Sequence, residues 1–373
     1  MRAGRRGVPG RGGRWVCARI TLCFCVLPAI RGAADERPPA ESDVSIAEPN
    51  VTRQTDAAMA DAGRVRAAPL LPIPTPTLGG GVLWGDVLLA GGYRVQERVG
   101  SGDACRLLSP RDLKLAVGTA EECRRALDAH RRASGLEPPS GEVVVLIHGI
   151  LRSSKSMSRV AAGLRRDGLQ PELFDYPSTR VSLEESAVYL RRVIDGFPPS
   201  VTRISFVVHS MGGLLVRQHL RDAGGNVDPR LHRMVMIGTP NYGANLATML
   251  EGTAAFQLLF GPAGAQLADH DTAPAAGLPT PAFEFAVIAG IRGTASGFNP
   301  LVPGDDDGTV SLASARLAGA RDFLAVRGLH SSLMFQPSVV AAASRFIRTG
   351  SLHEDGALDP IDPPPAPPVP HQE

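Results

Sequence analysis

The sequence has no surplus of charge of either sign and few of the residues that build metal sites or disulfide scaffolds. Its formal net charge is +2 over 373 residues, which argues against nucleic acid as the main partner. The five cysteines and nine histidines form no close cluster with ligand spacing, so we expect no metal and no other cofactor. Only Lys114 and Lys155 are lysines, a shortage that we attribute to coding bias.

Apolar runs long enough to cross a membrane are missing as well. The apolar stretch near the N-terminus, Ile20 to Ile30, has eleven residues, too few to span a bilayer core of about 30 Å as a helix. Arginines precede this stretch and small residues follow it at 32–34, as in an export signal. We therefore expect residues 1–34 to be a signal peptide and the mature protein to be secreted or periplasmic. The alternative is a basic extension from a misassigned start codon.

Cysteine is scarce, and removal of the signal would leave only Cys105 and Cys123. An even number of cysteines in an oxidising compartment predicts a disulfide bridge between them. Two unpaired thiols, acting as small apolar side chains, are the alternative.

Two segments of the chain are rich in proline and lack apolar periodicity. Residues 35–80 also contain many alanines and acids, which predicts a linker. Residues 350–373 predict a disordered tail. Residues 81–140 form a more structured N-terminal accessory segment, with a helix expected between Leu107 and His130, and the pattern leaves their function open.

Residues 141–349 show strand patterns that alternate with helix patterns. Val143–Ile147 is a continuous apolar, β-branched run, typical of a strand that is buried on both faces. The further strand candidates are Leu173–Tyr176, Ile204–Val208, Met234–Ile237, Phe285–Ile291 and Phe323–Val326, and the helix candidates are Lys155–Arg166, Leu183–Ile194, Gly212–Arg221 and Val339–Ile347. This alternation predicts an α/β fold with a mostly parallel sheet and helices on both faces.

The strongest motif is Val-Val-His-Ser-Met-Gly-Gly at residues 207–213, between a β-branched run and an amphipathic helix. A serine on such a turn presents its hydroxyl at the edge of the sheet, where the helix N-terminus favours negative charge. The motif resembles that of the α/β-hydrolase lipases and esterases, and the resemblance runs from about Gly141 to Gly350. It implies an α/β-hydrolase fold with Ser210 as the nucleophile. The alternative is a loop serine without a catalytic role.

The motif departs from the family pattern at Val208, where a small residue is usual. A β-branched side chain beside the turn is expected to shift the turn slightly, unless smaller neighbours compensate. We expect the departure to affect activity rather than the fold.

A serine nucleophile needs a base, and in this family the acid comes next along the chain and the histidine last. His330, His353 and His371 are the histidines that follow the candidate acid loop. The last two lie in or beside the proline-rich tail, where we expect no fixed geometry. His330 directly follows the final strand and is the predicted base. A surface-loop histidine is the alternative.

The candidate acid loop is Gly-Asp-Asp-Asp-Gly-Thr-Val-Ser at residues 304–311. Similar lipases have Asp-Gly-x-Val at this place, which implies that Asp307 is the acid that orients the imidazole. Three adjacent carboxylates repel one another, so we do not expect all three to face His330. Asp305 and Asp306 are then solvated loop residues or part of a cation site.

The family builds its oxyanion hole from two backbone N–H groups. One belongs to the residue after the serine, here Met211. The other comes from the first strand-to-helix loop, where His148-Gly149-Ile150 matches the His-Gly pair of the family. The resemblance therefore implies Ile150 as the second donor. We expect His148 to shape this loop rather than to titrate during turnover.

Residues 244–281 are too many for a simple connection between two strands, and they include Met249, Phe256 and Phe260. Insertions at this place commonly form a cap over the pocket in lipase-like proteins. An apolar cap suits an acyl chain. The alternative is a helical insertion that packs permanently on the body of the domain.

These features predict a serine hydrolase that cleaves carboxylic esters of acyl or lipid substrates through an acyl-enzyme intermediate. The same triad also serves thioesterases and deacylases of acylated protein or glycolipid. A function of a different class, a non-catalytic binding protein on a hydrolase fold, is a further alternative. Its only support is Val208. We expect transient contact with a membrane or lipid surface, and the sequence leaves the oligomeric state open. Calcium-dependent lipases similar to this chain have an Asp where Ser332 stands, so we expect activity without calcium.

Overall fold

The computed structural model describes residues 75–76, 83–243, 262–264, 266, 275 and 277–362. The predicted signal peptide, nearly all of the predicted linker, most of the predicted cap and the end of the proline-rich tail lie outside the described residues. In the described part of the chain, no helix is both long and apolar enough to cross a membrane.

An antiparallel sheet of five strands forms the N-terminal part of the described chain, in the order β1-β5-β4-β3-β2. Its elements are β1 (Thr75–Pro76), β2 (Trp84–Ala90), β3 (Tyr93–Arg98), β4 (Cys105–Leu108) and β5 (Leu113–Gly118), followed by helix α1 (Ala120–Ser134). Helix α1 packs on β3, β4 and β5. The accessory segment of the sequence analysis is therefore a sheet covered by one helix.

The helix predicted within Leu107–His130 is α1, which buries Cys123 and Leu127, and the residues before it, 105–118, form β4 and β5. The helix starts after Thr119, whose hydroxyl accepts from the Glu122 N–H while the Glu122 carboxylate accepts from the Thr119 N–H. Such a capping box satisfies two of the N–H groups that a helix start leaves unpaired. Thr119 and Glu122 were the sequence signal for the true boundary.

A sheet of six parallel strands forms the main body, in the order β11-β10-β9-β8-β6-β7. Its strands are β6 (Gly141–Ile147), β7 (Gln170–Phe174), β8 (Val201–His209), β9 (Leu231–Ile237), β10 (Glu284–Ile291) and β11 (Asp322–Arg327). The helices are α2 (Ser158–Arg166), α3 (Leu183–Gly196), α4 (Met211–Ala223), α5 (Leu312–Ala315) and α6 (Pro337–Thr349).

Both faces of the central sheet are buried. Along β6, Val143, Val145 and Ile147 belong to the core that includes α3 and α4, while Val144 and Leu146 belong to the core that includes α2 and α6. Successive side chains of a strand point to opposite faces, so a strand between two helical layers has to be apolar throughout. The predicted α/β fold class, a parallel sheet with helices on both faces, is confirmed.

The predicted disulfide bridge is wrong in this structure, because Cys105 and Cys123 are both free and buried. Each thiol fills space in the apolar cluster between the N-terminal sheet and α1. Burial raises the pKa of Cys105 to about 12 and that of Cys123 to about 11. Both side chains therefore serve as small apolar core residues.

The predicted start of the disordered tail at residue 350 is also corrected. Residues 351–362 follow α6 along the body, and the buried Asp322 carboxylate accepts from the N–H groups of Leu352 and Asp359 at 2.6 and 2.9 Å. Backbone pairs between Ile361 and residues 319–320 continue this attachment. The proline pattern did not predict these contacts, because the Asp322 carboxylate lies 30 and 37 residues before the two N–H groups that it accepts from.

Asp86 of β2 is a buried carboxyl where the N-terminal sheet meets the end of β7. Its backbone N–H donates to the Asp175 carbonyl at 2.8 Å, and the Asp175 N–H donates to Asp86 Oδ2 at 2.6 Å. Burial is the main cause that raises the pKa of Asp86 to about 7, while the nearby charges of Arg94 and Asp175 act in opposite directions. The folded state thus favours the protonated carboxyl.

This raised pKa predicts how the free energy of unfolding responds to pH. Between the unfolded pKa of 3.8 and the folded pKa of about 7, the folded state holds a proton that the unfolded chain has released. The contribution of Asp86 to stability therefore falls as the pH rises through this window. The variant Asp86→Asn stays neutral, so between pH 4 and pH 8 it should gain at least about 1 kcal/mol relative to the parent. Urea unfolding of both proteins at both pH values measures the gain, and a difference that does not change with pH would contradict the raised pKa.

Candidate active site

Ser210 lies on a sharp turn between β8 and α4. Its backbone has φ 55° and ψ −127°, a left-handed conformation that is strained for any residue except glycine. The turn needs small neighbours: a Cβ at Gly212 would lie 2.9 Å from two backbone oxygens, and a Cβ at Gly213 would lie 2.4 Å from Thr239 Oγ1. Both glycines of the motif are therefore required where helix and strands approach most closely.

Val208 lies two residues before this turn, in β8. Its side chain is fully buried in the core on the α3–α4 side of the sheet, and the residue pairs in register with Ile147 and Met236. Ser210 keeps the strained conformation of the turn. Val208 therefore packs into the sheet as an ordinary strand residue.

The structure brings Ser210, His330 and Asp307 together. The Ser210 hydroxyl lies 2.9 Å from His330 Nε2, and His330 Nδ1 lies 2.7 Å from Asp307 Oδ2. A backbone bond of 2.8 Å from the His330 N–H to the Asp307 carbonyl joins the two loops. Asp307 is 1% exposed and the His330 side chain 14%. The imidazole can therefore accept the proton of the hydroxyl while its other nitrogen donates to a buried carboxylate.

The acid loop selects one carboxylate of the three. Asp307 Oδ1 accepts from the N–H groups of Thr309 and Val310 at 3.0 and 2.8 Å, which leaves Oδ2 for His330. Asp305 accepts from backbone N–H groups at residues 292 and 293. Asp306 is fully buried and accepts from backbone N–H groups at residues 299 and 308. Asp305 and Asp306 therefore brace the loop and do not face the imidazole.

Two further glycines, which the sequence motifs did not include, leave space for His330 and Asp307. A Cβ at Gly290 of β10 would lie 2.6 Å from the Asp307 Cβ. A Cβ at Gly238, which has φ 57°, would lie 3.2 Å from His330 Nδ1. Both follow apolar strand residues in the sequence, a pattern that signals close backbone approach.

The two expected oxyanion donors flank the serine. Met211 is the first residue of α4, and Ile150 lies in the loop after β6. That loop abuts the serine, since a Cβ at Gly149 would lie 2.9 Å from the Ser210 Cβ. Within the described residues, neither the Met211 N–H nor the Ile150 N–H donates to a protein acceptor. Both groups are therefore available to a ligand oxygen.

His148 contacts the backbone of the loop after β6 and of the residues after β7. The ring is fully buried, its Nδ1 lies 2.8 Å from the Gly149 carbonyl, and its Nε2 accepts from the Tyr176 N–H at 3.5 Å. The Tyr176 ring stacks on it with centroids 4.5 Å apart. Burial lowers the pKa of His148, against the opposing charge of Asp175.

His209 was missed as a site residue, although it belongs to the serine motif. Its Nε2 donates to the His330 carbonyl at 3.1 Å, and the two rings lie 4.9 Å apart. Burial, followed by the charge of His330, holds the pKa of His209 well below its usual value. A neutral His209 thus anchors the backbone of His330 from the end of β8.

In the described ranges, no group of three or more His, Cys, Asp or Glu side chains is arranged to hold a metal ion. At the position where similar calcium-dependent lipases have an Asp, the Ser332 hydroxyl donates to the Leu329 carbonyl at 2.9 Å.

Comparison with known proteins gives similarity only at the level of solved structures. No protein-family model matches the chain, and no curated protein matches it in sequence. The mature form of the lipase BlEst2 from Bacillus licheniformis is 19% identical, with 52% of this chain and 87% of that chain covered and a TM-score of 0.40. The phospholipase PlaB from Legionella pneumophila is 15% identical, with 58% of this chain and 60% of that chain covered and a TM-score of 0.43. A thermophilic esterase from Thermogutta terrifontis is 16% identical, with 56% of this chain and 90% of that chain covered and a TM-score of 0.39.

Proposed function

We propose that the protein is a serine hydrolase that cleaves carboxylic esters through an acyl-enzyme intermediate. The observation that supports this most strongly is the continuous chain of contacts from the Ser210 hydroxyl through both nitrogens of His330 to Asp307. A hydroxyl, an imidazole and a buried carboxylate in this order are the machinery of nucleophilic acyl transfer.

In the acylation step, His330 Nε2 accepts the Ser210 proton while Oγ attacks the ester carbonyl carbon. The negative charge that develops on the carbonyl oxygen is stabilised by the N–H groups of Met211 and Ile150. His330 then returns the proton to the departing alcohol, which leaves an acyl ester on Ser210. A water molecule, activated by the same imidazole, hydrolyses this acyl-enzyme and restores the hydroxyl.

The surface around the serine suits an apolar acyl group. Five large apolar side chains are exposed on loops that follow strands of the parallel sheet: Leu151, Tyr242, Phe298, Leu301 and Leu329. The carboxyl ends of parallel strands share one edge of the sheet, so these loops border the same edge as Ser210. An exposed apolar rim of this kind favours acyl or lipid esters, and with them contact with a lipid surface.

The alternative functions predict different outcomes at the same site. A thioesterase or a deacylase of acylated protein or glycolipid would use the same triad on another scissile bond. A binding protein on this fold would need no working triad, and the contacts that join Ser210, His330 and Asp307 argue against it. An exported enzyme, secreted or periplasmic, remains part of the proposal because of residues 1–34.

The parent protein should react with a fluorophosphonate probe and hydrolyse short-chain p-nitrophenyl esters without added metal. We expect the matched thioester to be turned over more slowly than the ester, and the matched amide to be turned over more slowly still. A panel that shares one acyl group and varies only the leaving atom measures this order. Faster turnover of the thioester would favour the alternative enzyme, and a protein that neither labels nor turns over any substrate would favour a binding protein.

A further inference from the structure

Asp175, at the end of β7, holds the loop that contains the expected oxyanion donor Ile150. Its carboxylate accepts from the Ser154 N–H at 2.6 Å and from the Ser154 hydroxyl at 2.7 Å. On the other side of the loop it lies 3.5 Å from His148 Nε2. One carboxylate therefore contacts both ends of the segment 148–154, which lies against Ser210.

The N-terminal sheet supplies the cation for this carboxylate. Arg94 of β3, whose side chain is 8% exposed, pairs with Asp175 and Asp112 and lies 3.8 Å from Asp86. Burial by itself would raise the pKa of Asp175, but His148, Arg94 and Ser154 outweigh it and lower the pKa. Asp175 is thus an ionised, largely buried carboxylate. Removing the partner of such a group leaves an uncompensated buried charge, which strongly destabilises the local structure.

A second attachment joins the N-terminal sheet to β7 without reaching the loop. The buried Glu172 carboxylate of β7 accepts from the Gly91 and Gly92 N–H groups at 2.6 and 3.0 Å. These glycines form the turn between β2 and β3. Glu172 and Asp175 therefore connect the same two sheets, but only Asp175 also contacts the residues beside the serine.

We propose that Arg94 is a positioning residue for catalysis: through Asp175 it holds the loop 148–154 so that the Ile150 N–H faces the oxyanion. The inference rests on the proposed hydrolase function and gives the N-terminal sheet a role in it. Ser210, His330 and Asp307 lie on other loops, so loss of Arg94 leaves the proton transfer intact and weakens only oxyanion stabilisation. Loss of one oxyanion donor in a serine hydrolase lowers kcat by about 10²- to 10³-fold.

The test compares Arg94→Met with Glu172→Gln, which weakens the other attachment because the amide keeps one acceptor oxygen for the two N–H groups of Gly91 and Gly92. We expect Arg94→Met to lower kcat by about 100-fold, with KM nearly unchanged. The affinity for a trifluoromethyl ketone, whose adduct on Ser210 places an oxyanion in the same site, should fall in parallel with kcat/KM. Arg94→Lys should recover part of the loss, and Glu172→Gln should lower the thermal midpoint while kcat stays near that of the parent.

Two further measurements keep the outcomes separate. Ser154→Ala removes a loop contact of Asp175 without touching the N-terminal sheet and should also lower kcat, so the proposal stays testable if Arg94→Met fails to fold. Hydrogen exchange at residues 148–154 should speed up in a folded Arg94 variant but not in Glu172→Gln, whether or not the parent is active. An inactive, unlabelled parent overturns the proposed hydrolase function. A fully active Arg94→Met, or an equal loss of kcat in Glu172→Gln, overturns the role of Arg94.

Discussion

Ser210→Ala is expected to abolish ester hydrolysis, with a loss of kcat on the order of 10⁶-fold, as for removal of the nucleophile in a related triad. The hydroxyl that lies 2.9 Å from His330 Nε2 is the only group that this change removes. Alanine keeps the Cβ, so the packing around the turn should be preserved. Hydrolysis of one short-chain ester and fluorophosphonate labelling of the purified variant, with matched thermal melts, provide the measurement.

Two companion variants make this test specific. Ser331→Ala changes an exposed serine next to His330 and should retain both activity and labelling. Ser210→Gly should be as inactive as Ser210→Ala but about 1 kcal/mol more stable, because glycine adopts φ 55° and ψ −127° without strain. Substantial activity in Ser210→Ala would exclude Ser210 as the nucleophile. An unaltered melting midpoint in Ser210→Gly would show that the turn stores no strain.

Asp307→Asn is expected to lower kcat by about 10⁴-fold, the loss measured when the acid of a serine triad is replaced by its amide. The structure explains why the amide cannot adapt by rotating. The N–H groups of Thr309 and Val310 both donate to Oδ1, so the amide oxygen has to stay there and the NH₂ group has to face His330. The imidazole then accepts at Nδ1 and keeps its proton on Nε2, where it can no longer receive the proton of Ser210.

The control for the acid is Asp305→Asn, which should cost much less than Asp307→Asn. Within the described residues, Asp305 receives only backbone donors, from residues 292, 293 and 306. Asp306→Asn should also cost less, but it is a poorer control because buried Asp306 supports the same loop. Measuring kcat/KM of the three variants on one ester ranks the three carboxylates. A larger loss of kcat/KM in Asp305→Asn than in Asp307→Asn would show that Asp307 is not the acid of the triad.

The β-sheet body was predictable because its pattern is local. A run such as Val143–Ile147, apolar at every position, fits only a strand that is covered on both sides, and helices α3 and α4 show the apolar spacing that covers it. The N-terminal sheet was less predictable, since β4 and β5 are short and Leu107 and Leu108 are both buried. Two adjacent buried residues obscure the period of two that identifies a strand.

The sequence by itself predicted the succession of strands and helices along the main body and the serine turn, because each depends on neighbours within a few positions, and the family resemblance added His330 and Asp307. Only the tertiary structure decided which carboxylate contacts the imidazole. Oδ1 of Asp307 accepts from two backbone N–H groups, and Oδ2 contacts His330. It also decided that Arg94, on a different sheet, reaches the oxyanion loop through Asp175. Contacts of this kind join residues that are far apart in sequence, and a buried charge requires its partner whatever the separation along the chain.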